Sequence, residues 1–308
     1  MNNLELLNKE EQEILFSKEY LLGRKILKFK YYIKHFKFIT LFKKIFNQRK
    51  INKYLYKKDN YNNDTLFKDN DKKTIKSIDK NEKIAVYTVN IGGYDNLIMP
   101  LTISDNIDYY VVSDIKPKEL GIFKWIDANK YINNLNVSNV KKARYLKTHP
   151  HLIFKNYKYS IFIDGNIRCI SDISKFVSKI NKDTKIAIHP HPYRDCIYKE
   201  LLCCKITLKG NYKVMKQQVE EYKRENMPKE FGLFETNVLI REHNDLNCIN
   251  IMEKWWDEIL NKSERDQLSL TYVLWKLGYV VNDIGNIANS IKNNYAFQVV
   301  NHIEEYDK

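Results

Sequence analysis

The chain has 308 residues, with 52 Lys and Arg against 38 Asp and Glu, a net charge of +14 and 44% hydrophobic residues. That content excludes a wholly disordered polymer, and at about 150 residues per domain the length allows two domains or one large α/β domain with an appendage. No run without a charged residue exceeds the eleven of Ile84–Tyr94, short of the roughly 20 that span a bilayer as a helix.

The first residues carry Glu5, Glu10, Glu11, Glu13 and Glu19, a pattern unlike a secretory signal, so a cytoplasmic location is expected. Residues 15–58 then hold fourteen Lys or Arg against the single acid Glu19. Leu22, Ile26, Phe29, Ile33 and Phe36 fall at steps of four and three, and Phe42, Ile45 and Phe46 resume the stripe, so residues 1–58 read as a basic amphipathic helical segment. Such a helix can lie on an anionic membrane at the inner face of the plasma membrane, gaining apolar burial and lipid attraction together. Packing on the rest of the chain or self-association is the alternative. Nucleic acid is disfavoured, because the aromatics lie on the helix's apolar stripe and not on a sheet platform.

Residues 59–82 are rich in Asn, Asp and Lys and read as a polar linker, leaving 83–308 as the body. There, strands are expected at Lys83–Val89, followed by the glycine turn Asn90-Ile-Gly-Gly-Tyr-Asp95, and at Asp108–Ser113. A helix capped by Ser138 or Asn139 should run to Lys147, with Pro150 limiting it. Then come a strand at Tyr159–Ile163, a helix near Ile173–Ile180, a strand at Lys185–His189 and helices near Asp195–Cys204 and Tyr212–Arg224. A strand at Leu233–Ile240 and helices around Leu246–Leu260 and Glu264–Leu277 complete the pattern. Alternating strands and helices imply an α/β fold with a parallel or mixed sheet, covered on both faces, whose sites gather at strand carboxyl ends. The five cysteines, Cys169, Cys196, Cys203, Cys204 and Cys248, lack paired CxxC spacing and read as reduced core thiols.

Asp164 ends the apolar strand Tyr159–Ile163 and precedes Gly165 and Asn166, which places a hard oxygen ligand where a divalent ion could bridge two phosphates. The plainer reading is a turn or cap. Arg144 and Lys147, at i and i+3 on one helix, share a face suited to a diphosphate, or simply to solvent. His189 and His191 at i,i+2 point to opposite sides of an extended chain, so hydrogen bonding to substrate is favoured over zinc. Arg194 either pairs with Asp195 or touches a bound substrate. Ser263-Glu-Arg-Asp266 matches a helix capping box, which gives Asp266 a purely structural alternative, and Trp255 and Trp256 read as packing residues.

The ordered set Lys142-Ala-Arg-x-x-Lys-x-x-Pro150, Ile163-Asp-Gly-Asn-Ile167, His189-Pro-His-Pro-Tyr-Arg-Asp195, Met227-Pro, Glu235-Thr-Asn-Val238, Trp255-Trp256 and Arg265-Asp-Gln-Leu-Ser269 resembles one family over about residues 83–302. It is the glycosyltransferase-like domain of plant mucilage-related and turgor-regulation proteins and of bacterial polysaccharide clusters. The resemblance implies a GT-A fold and transfer, with retention favoured, of a hexosyl or uronosyl group from a nucleotide-sugar, such as a UDP-sugar, to a polysaccharide (for example a capsule) or lipid-linked glycan. It implies Mn²⁺ or Mg²⁺ held by Asp164, Asn166 and a late histidine, His302, although Asp164-Gly-Asn166 replaces the usual Asp-x-Asp and an amide is the weaker ligand. It further implies sugar contacts for Asp266 and acceptor contacts for Glu235 and Asn237, with Arg194, Arg144, Lys147 and His189 toward the donor. A non-catalytic nucleotide-sugar or glycan binder is the alternative. A lipid or glycan hydrolase fits less well, because the chain has no Gly-x-Ser-x-Gly elbow.

Overall fold

The computed structural model describes residues 73–75, 79, 81–288 and 290–300. The basic segment 15–58 and His302 lie outside them. Among the described residues the strands are β1 (Ile84–Asn90), β2 (Ile107–Ser113), β3 (Lys124–Asp127), β4 (Tyr159–Ile163), β5 (Ile167–Cys169), β6 (Ile186–Pro190), β7 (Phe234–Arg241), β8 (Gly285–Asn286) and β9 (Phe297–Val299). The longer helices are α1 (Asn139–Thr148), α2 (Ile197–Thr207), α3 (Tyr212–Arg224), α4 (Leu246–Asn261) and α5 (Asp266–Lys276). The mixed α/β class expected from the alternation is the one found.

Seven strands form one sheet in the order β3-β2-β1-β4-β7-β6-β8. β1 runs parallel to β2 and β4, whereas β7 is antiparallel to β4 and β6. The sheet is therefore mostly parallel, and the amino end of β7 meets the carboxyl end of β4. The first five residues of β1 and all of β4 are buried, as expected of strands covered on both sides. Apolar clusters fill both faces, one gathering Tyr87, Leu146, Ile188 and Trp255, the other Val86, Ile161, Phe176 and Ile240.

The helices cover the sheet where their sequences carry an apolar stripe. α4 buries Cys248, Ile251, Met252, Trp255, Trp256 and Ile259, steps of three and one that repeat each turn. Both tryptophans are thus core residues, Trp255 fully so. α5 is buried nearly all round, from Leu268 to Leu274. Cys169, Cys196, Cys204 and Cys248 are buried free thiols and Cys203 is partly exposed, as expected.

Three features were not in the pattern. The segment expected as a helix near Ile173–Ile180 is a 3-10 turn, Ser174–Lys179. Gly285 sits so close to it that a Cβ there would lie 1.8 Å from the Lys179 carbonyl oxygen. Residues of the expected linker dock on the body: Ile75 N donates to Ile180 O at 3.0 Å, Lys182 N to Lys73 O at 2.8 Å, and Lys73 pairs with Asp283 at 2.9 Å. The packed body therefore includes Lys73–Ile75, ahead of the expected start at Lys83.

Candidate active site

A cleft of about 580 Å³ opens where the carboxyl ends of β1 and β4 meet the amino ends of β7, α1 and α5. The β1 side is the glycine turn. Asn90 closes it, its amide donating to Asp95 O at 2.6 Å, and Gly92 N donates to the Asp114 carboxylate at 3.0 and 3.1 Å. Gly92 and Gly93 have φ of 72° and 64°, the left-handed region that glycine enters without a Cβ penalty. Asp95 lies against Gly165, where a Cβ would come within 2.7 Å of its Oδ2. A side chain in place of the glycine of Asp164-Gly-Asn166 would crowd this second acid, which comes from the turn after β1.

α1 supplies the cations. Ser138 caps it by accepting from Lys141 N at 3.2 Å, and its open face brings Arg144 to the cleft. Lys147, one turn on, is 1% exposed and lies 2.8 Å from Asp266 Oδ2, which is 2% exposed. Arg144 Nε stands 3.5 Å from the same oxygen. Asp164 Oδ1 is 3.9 Å from both Arg144 Nη1 and Lys147 Nζ, and its side chain is 31% exposed. Arg144 and Asp164 thus line the cleft, whereas Lys147, also expected at the diphosphate, belongs to the same charge network but is sealed against Asp266 and absent from the lining.

The far end of α1 is held from beneath. Arg241, fully buried, donates to Lys147 O at 2.7 Å and to the Tyr87 hydroxyl at 2.7 Å, and Tyr87 donates to Lys147 O at 3.0 Å. No carboxylate stands within ion-pair distance of Arg241 among the described residues. Its charge faces helix carbonyls, which carry partial negative charge.

Asp266 is not a helix cap. The Ser263 hydroxyl bonds to Gln218, Arg265 occupies the N-cap position without a side-chain cap bond, and Asp266 Oδ2 accepts from Lys147 and, at 3.0 Å, from Thr236. Burial alone would push this carboxyl up, but Arg144, Lys147 and Arg265 outweigh it and hold Asp266 well below the usual carboxylate range. Glu235 also lines the cleft and accepts from Ile291 N at 2.8 Å. Burial pushes its carboxyl up to about 7, against the lowering effect of that N–H.

Two residues expected at the donor are elsewhere. His189 is fully buried and takes the Asn294 amide at 3.0 Å, outside the cleft lining. Arg194 pairs with Glu200 at 2.6 Å and not with Asp195, which takes Lys199 at 2.9 Å, and it too is absent from the lining. Asn166 lines the cleft, and its carbonyl accepts from Val300 N at 2.8 Å. That contact brings the chain to within two residues of His302 before the described part ends.

Sequence reasoning missed Asp95, Thr236, Lys209 and Gln267 as lining residues. Asp95 had a signal, since it closes the glycine turn after an apolar strand. Among the described residues no group of three or more His, Cys, Asp or Glu side chains is gathered to hold a metal ion. The donor set nevertheless suits Mg²⁺ or Mn²⁺: Asp164, Asp95 and Asn166 offer hard oxygens on one cleft, and such ions commonly take one or two carboxylates and complete their shell from substrate phosphates.

The family model described as TOD1/MUCI70, glycosyltransferase-like domain, matches residues 39–302. The chain belongs to this family. The match begins 44 residues before Lys83, consistent with the docking of Lys73–Ile75 on the body. A curated relative, "Probable hexosyltransferase MUCI70" of Arabidopsis thaliana, is 26% identical over an alignment of 180 residues that covers 54% of this chain and 29% of that protein. The chain thus spans less than a third of that relative's length. Similar solved structures include the WbbM bifunctional glycosyltransferase (12% identity, TM-score 0.41, 72% of this chain and 44% of that one). Others are GlyE of Streptococcus pneumoniae (14%, 0.35, 65% and 45%) and the galactosyltransferase LgtC with donor and acceptor sugar analogues (10%, 0.33, 61% and 70%).

Proposed function

We propose that this glycosyltransferase-like domain transfers a sugar from a nucleotide-sugar, a UDP-sugar by the sequence resemblance, to a polysaccharide or lipid-linked glycan. The observation that carries the reading is the network of Arg144, Lys147, Asp164 and Asp266 at one cleft, with cation separations of 2.8 to 3.9 Å. Arg144 faces the departing diphosphate from the cleft lining, while Lys147, 1% exposed and outside that lining, adds its charge through Asp266, which holds both cations in place before substrate arrives. Asp164, with Asp95 and Asn166, would hold a divalent ion, which when bound offsets charge on the leaving diphosphate. Thr236 orients Asp266 through its hydroxyl.

Asp266 is enclosed by its cations and kept ionised, so it positions groups and does not exchange a proton with the acceptor. Retention, which the resemblance favours, needs no such base. Glu235 supports a second reading: an acid titrating near 7 is matched to proton transfer at neutral pH, and inversion with Glu235 as base would use it. Release of UDP from a panel of UDP-sugars with Mn²⁺ tests transfer or donor hydrolysis, and proton NMR of the product's anomeric centre separates the two stereochemistries. A panel without turnover would leave the non-catalytic binder as the better reading.

The basic segment 15–58 is proposed to meet an anionic membrane surface, supported by its fourteen cations and apolar stripe. Flotation of the full chain with anionic and neutral vesicles at low salt tests it. Equal recovery with both would remove the proposal.

A further inference from the structure

The cleft has a second basic wall that the donor reading does not use. Arg265 and Lys209 line it together with Gln267. Arg265 is set by Glu200, which is 1% exposed and accepts from Arg265 Nε at 3.0 Å and Nη2 at 2.8 Å. The other Glu200 oxygen accepts from Arg194 Nε at 2.6 Å. One carboxylate therefore serves two guanidinium groups. Burial would push Glu200 up, but Arg265 and Arg194 hold it down to about 2, so it remains a single negative charge.

Among the described residues the other nearby acids are committed to other cations, although Asp266 also feels the charge of Arg265. Asp195 is taken by Lys199 at 2.9 Å, and Asp266 is already bound by Lys147 at 2.8 Å. His191, beside Arg194 at 2.6 Å, is kept neutral, because burial and Arg194 pull it down to about 3. Arg265 Nη1 makes no hydrogen bond, and Lys209 has no carboxylate within 4.0 Å, among the described residues. Lys209 follows the α2 C-cap Leu208, at φ 55°, and its N–H returns to Cys204 O at 3.0 Å. That bond fixes the residue at the rim while its side chain stays exposed.

The geometry points to a second anion subsite in which Arg265 and Lys209 receive a carboxylate or phosphate carried on the sugar side of the reaction, apart from the donor diphosphate. The inference rests on the glycosyl-transfer reading for the identity of the sugar. Arg265 Nη2 is taken by Glu200 and Gln267, so the guanidinium offers its Nη1 to either oxyanion, and the ammonium adds a point charge. Glu200 is its positioning residue, holding Arg265 without entering the cleft.

Calorimetry of the full chain and of Lys209→Ala tests the subsite, the lysine being chosen because its exposed side chain supports no core. An anion on the transferred sugar predicts that UDP-glucuronic acid binds wild type about tenfold tighter than UDP-glucose, a preference lost in Lys209→Ala. An anion on the acceptor predicts instead that inorganic phosphate binds the UDP-saturated wild type and about tenfold less well the variant. In either case UDP alone should bind both proteins within about twofold. An equal loss of UDP affinity in the variant would assign Lys209 to the diphosphate and overturn the inference, as would the absence of any anion preference in both arms. If UDP fails to bind wild type, the donor reading falls. Phosphate titrated into the UDP-free proteins then decides the subsite by itself, with loss in Lys209→Ala supporting it and equal binding overturning it.

Discussion

The two walls of the cleft present Lys147 with two carboxylates in opposite settings. Asp164 follows the carboxyl end of a buried strand and is 31% exposed and 3.9 Å from the ammonium, whereas Asp266 starts a sealed helix, 2% exposed and 2.8 Å away. The nearer acid is committed: its oxygens are taken by Lys147, Thr236 and the Gln267 N–H. The farther one pairs loosely and opens to the cleft. Contact with one cation thus serves stability on one wall and leaves chemistry to the other.

The largest effect expected from this contrast is at Asp266. Asp266→Asn leaves Lys147 buried beside a neutral amide, and breaking a buried pair from one side costs about 3–5 kcal/mol. The capping pattern in the sequence would have set the cost at a fraction of that, since Asn and Asp cap about equally. Urea denaturation reads the difference directly, and a loss below about 1 kcal/mol would mean that the pair is not what seals this wall. The acid limb follows the same logic. The carboxyl is held below its ordinary value, so its contribution is present above the unfolded pKa and is lost as pH falls below it. The variant should lack that part of the acid limb.

Asp164→Asn comes second. A partly exposed carboxylate at 3.9 Å contributes little to folding, so the midpoint should move by a few degrees at most. Turnover of a UDP-sugar should fall about 100-fold, roughly 2.7 kcal/mol of transition-state stabilisation. Normal turnover would end the assignment of Asp164 to the donor site, and a collapse in stability would erase the contrast with Asp266.

How far the sequence foretold these walls follows from the range of the forces involved. β1, β4, α1 and α3 are set by local periodicity and caps, and the structure puts them within a residue or two of their expected ends. The strands β3, β5, β8 and β9 have two to four residues, too few for a period to show, and each exists because a neighbouring strand accepts it. In the site, Arg144, Asp164 and Asn166 line the cleft because spacing along one helix or one strand end places them, whereas Lys147 shares the helix but is sealed against Asp266, outside the lining. Arg194 and His189 were misplaced because their partners, Glu200 and Asn294, lie on the next helix and 105 residues on in the chain. No local pattern reveals such a partner.

Glu235 should give a smaller, pH-shaped effect. Its carboxyl is raised from 4.5 to about 7 by burial, so its stabilising influence is complete below the unfolded pKa and fades as pH rises through 7. Glu235→Gln should flatten the stability profile between these values. If Glu235 exchanges a proton in turnover, the variant should also lose the limb of kcat/KM centred near 7 and about tenfold in rate, roughly 1.4 kcal/mol. A profile unchanged in both respects would remove Glu235 from the proton inventory of the cleft.

The smallest effect tests which end of α1 matters. Ser138 accepts from Lys141 N and donates to Glu264, tying the amino end of α1 to the loop before α5. Replacing an N-cap serine with alanine costs about 1 kcal/mol, and Ser138→Ala should lower stability by that amount. The carboxyl end is fastened separately, by Arg241 and Tyr87 on the Lys147 carbonyl, so Lys147 should keep its place against Asp266. Affinity for UDP should then change by less than about twofold. A tenfold fall would show that the cap, and not the buried arginine, sets the position of Arg144 and Lys147.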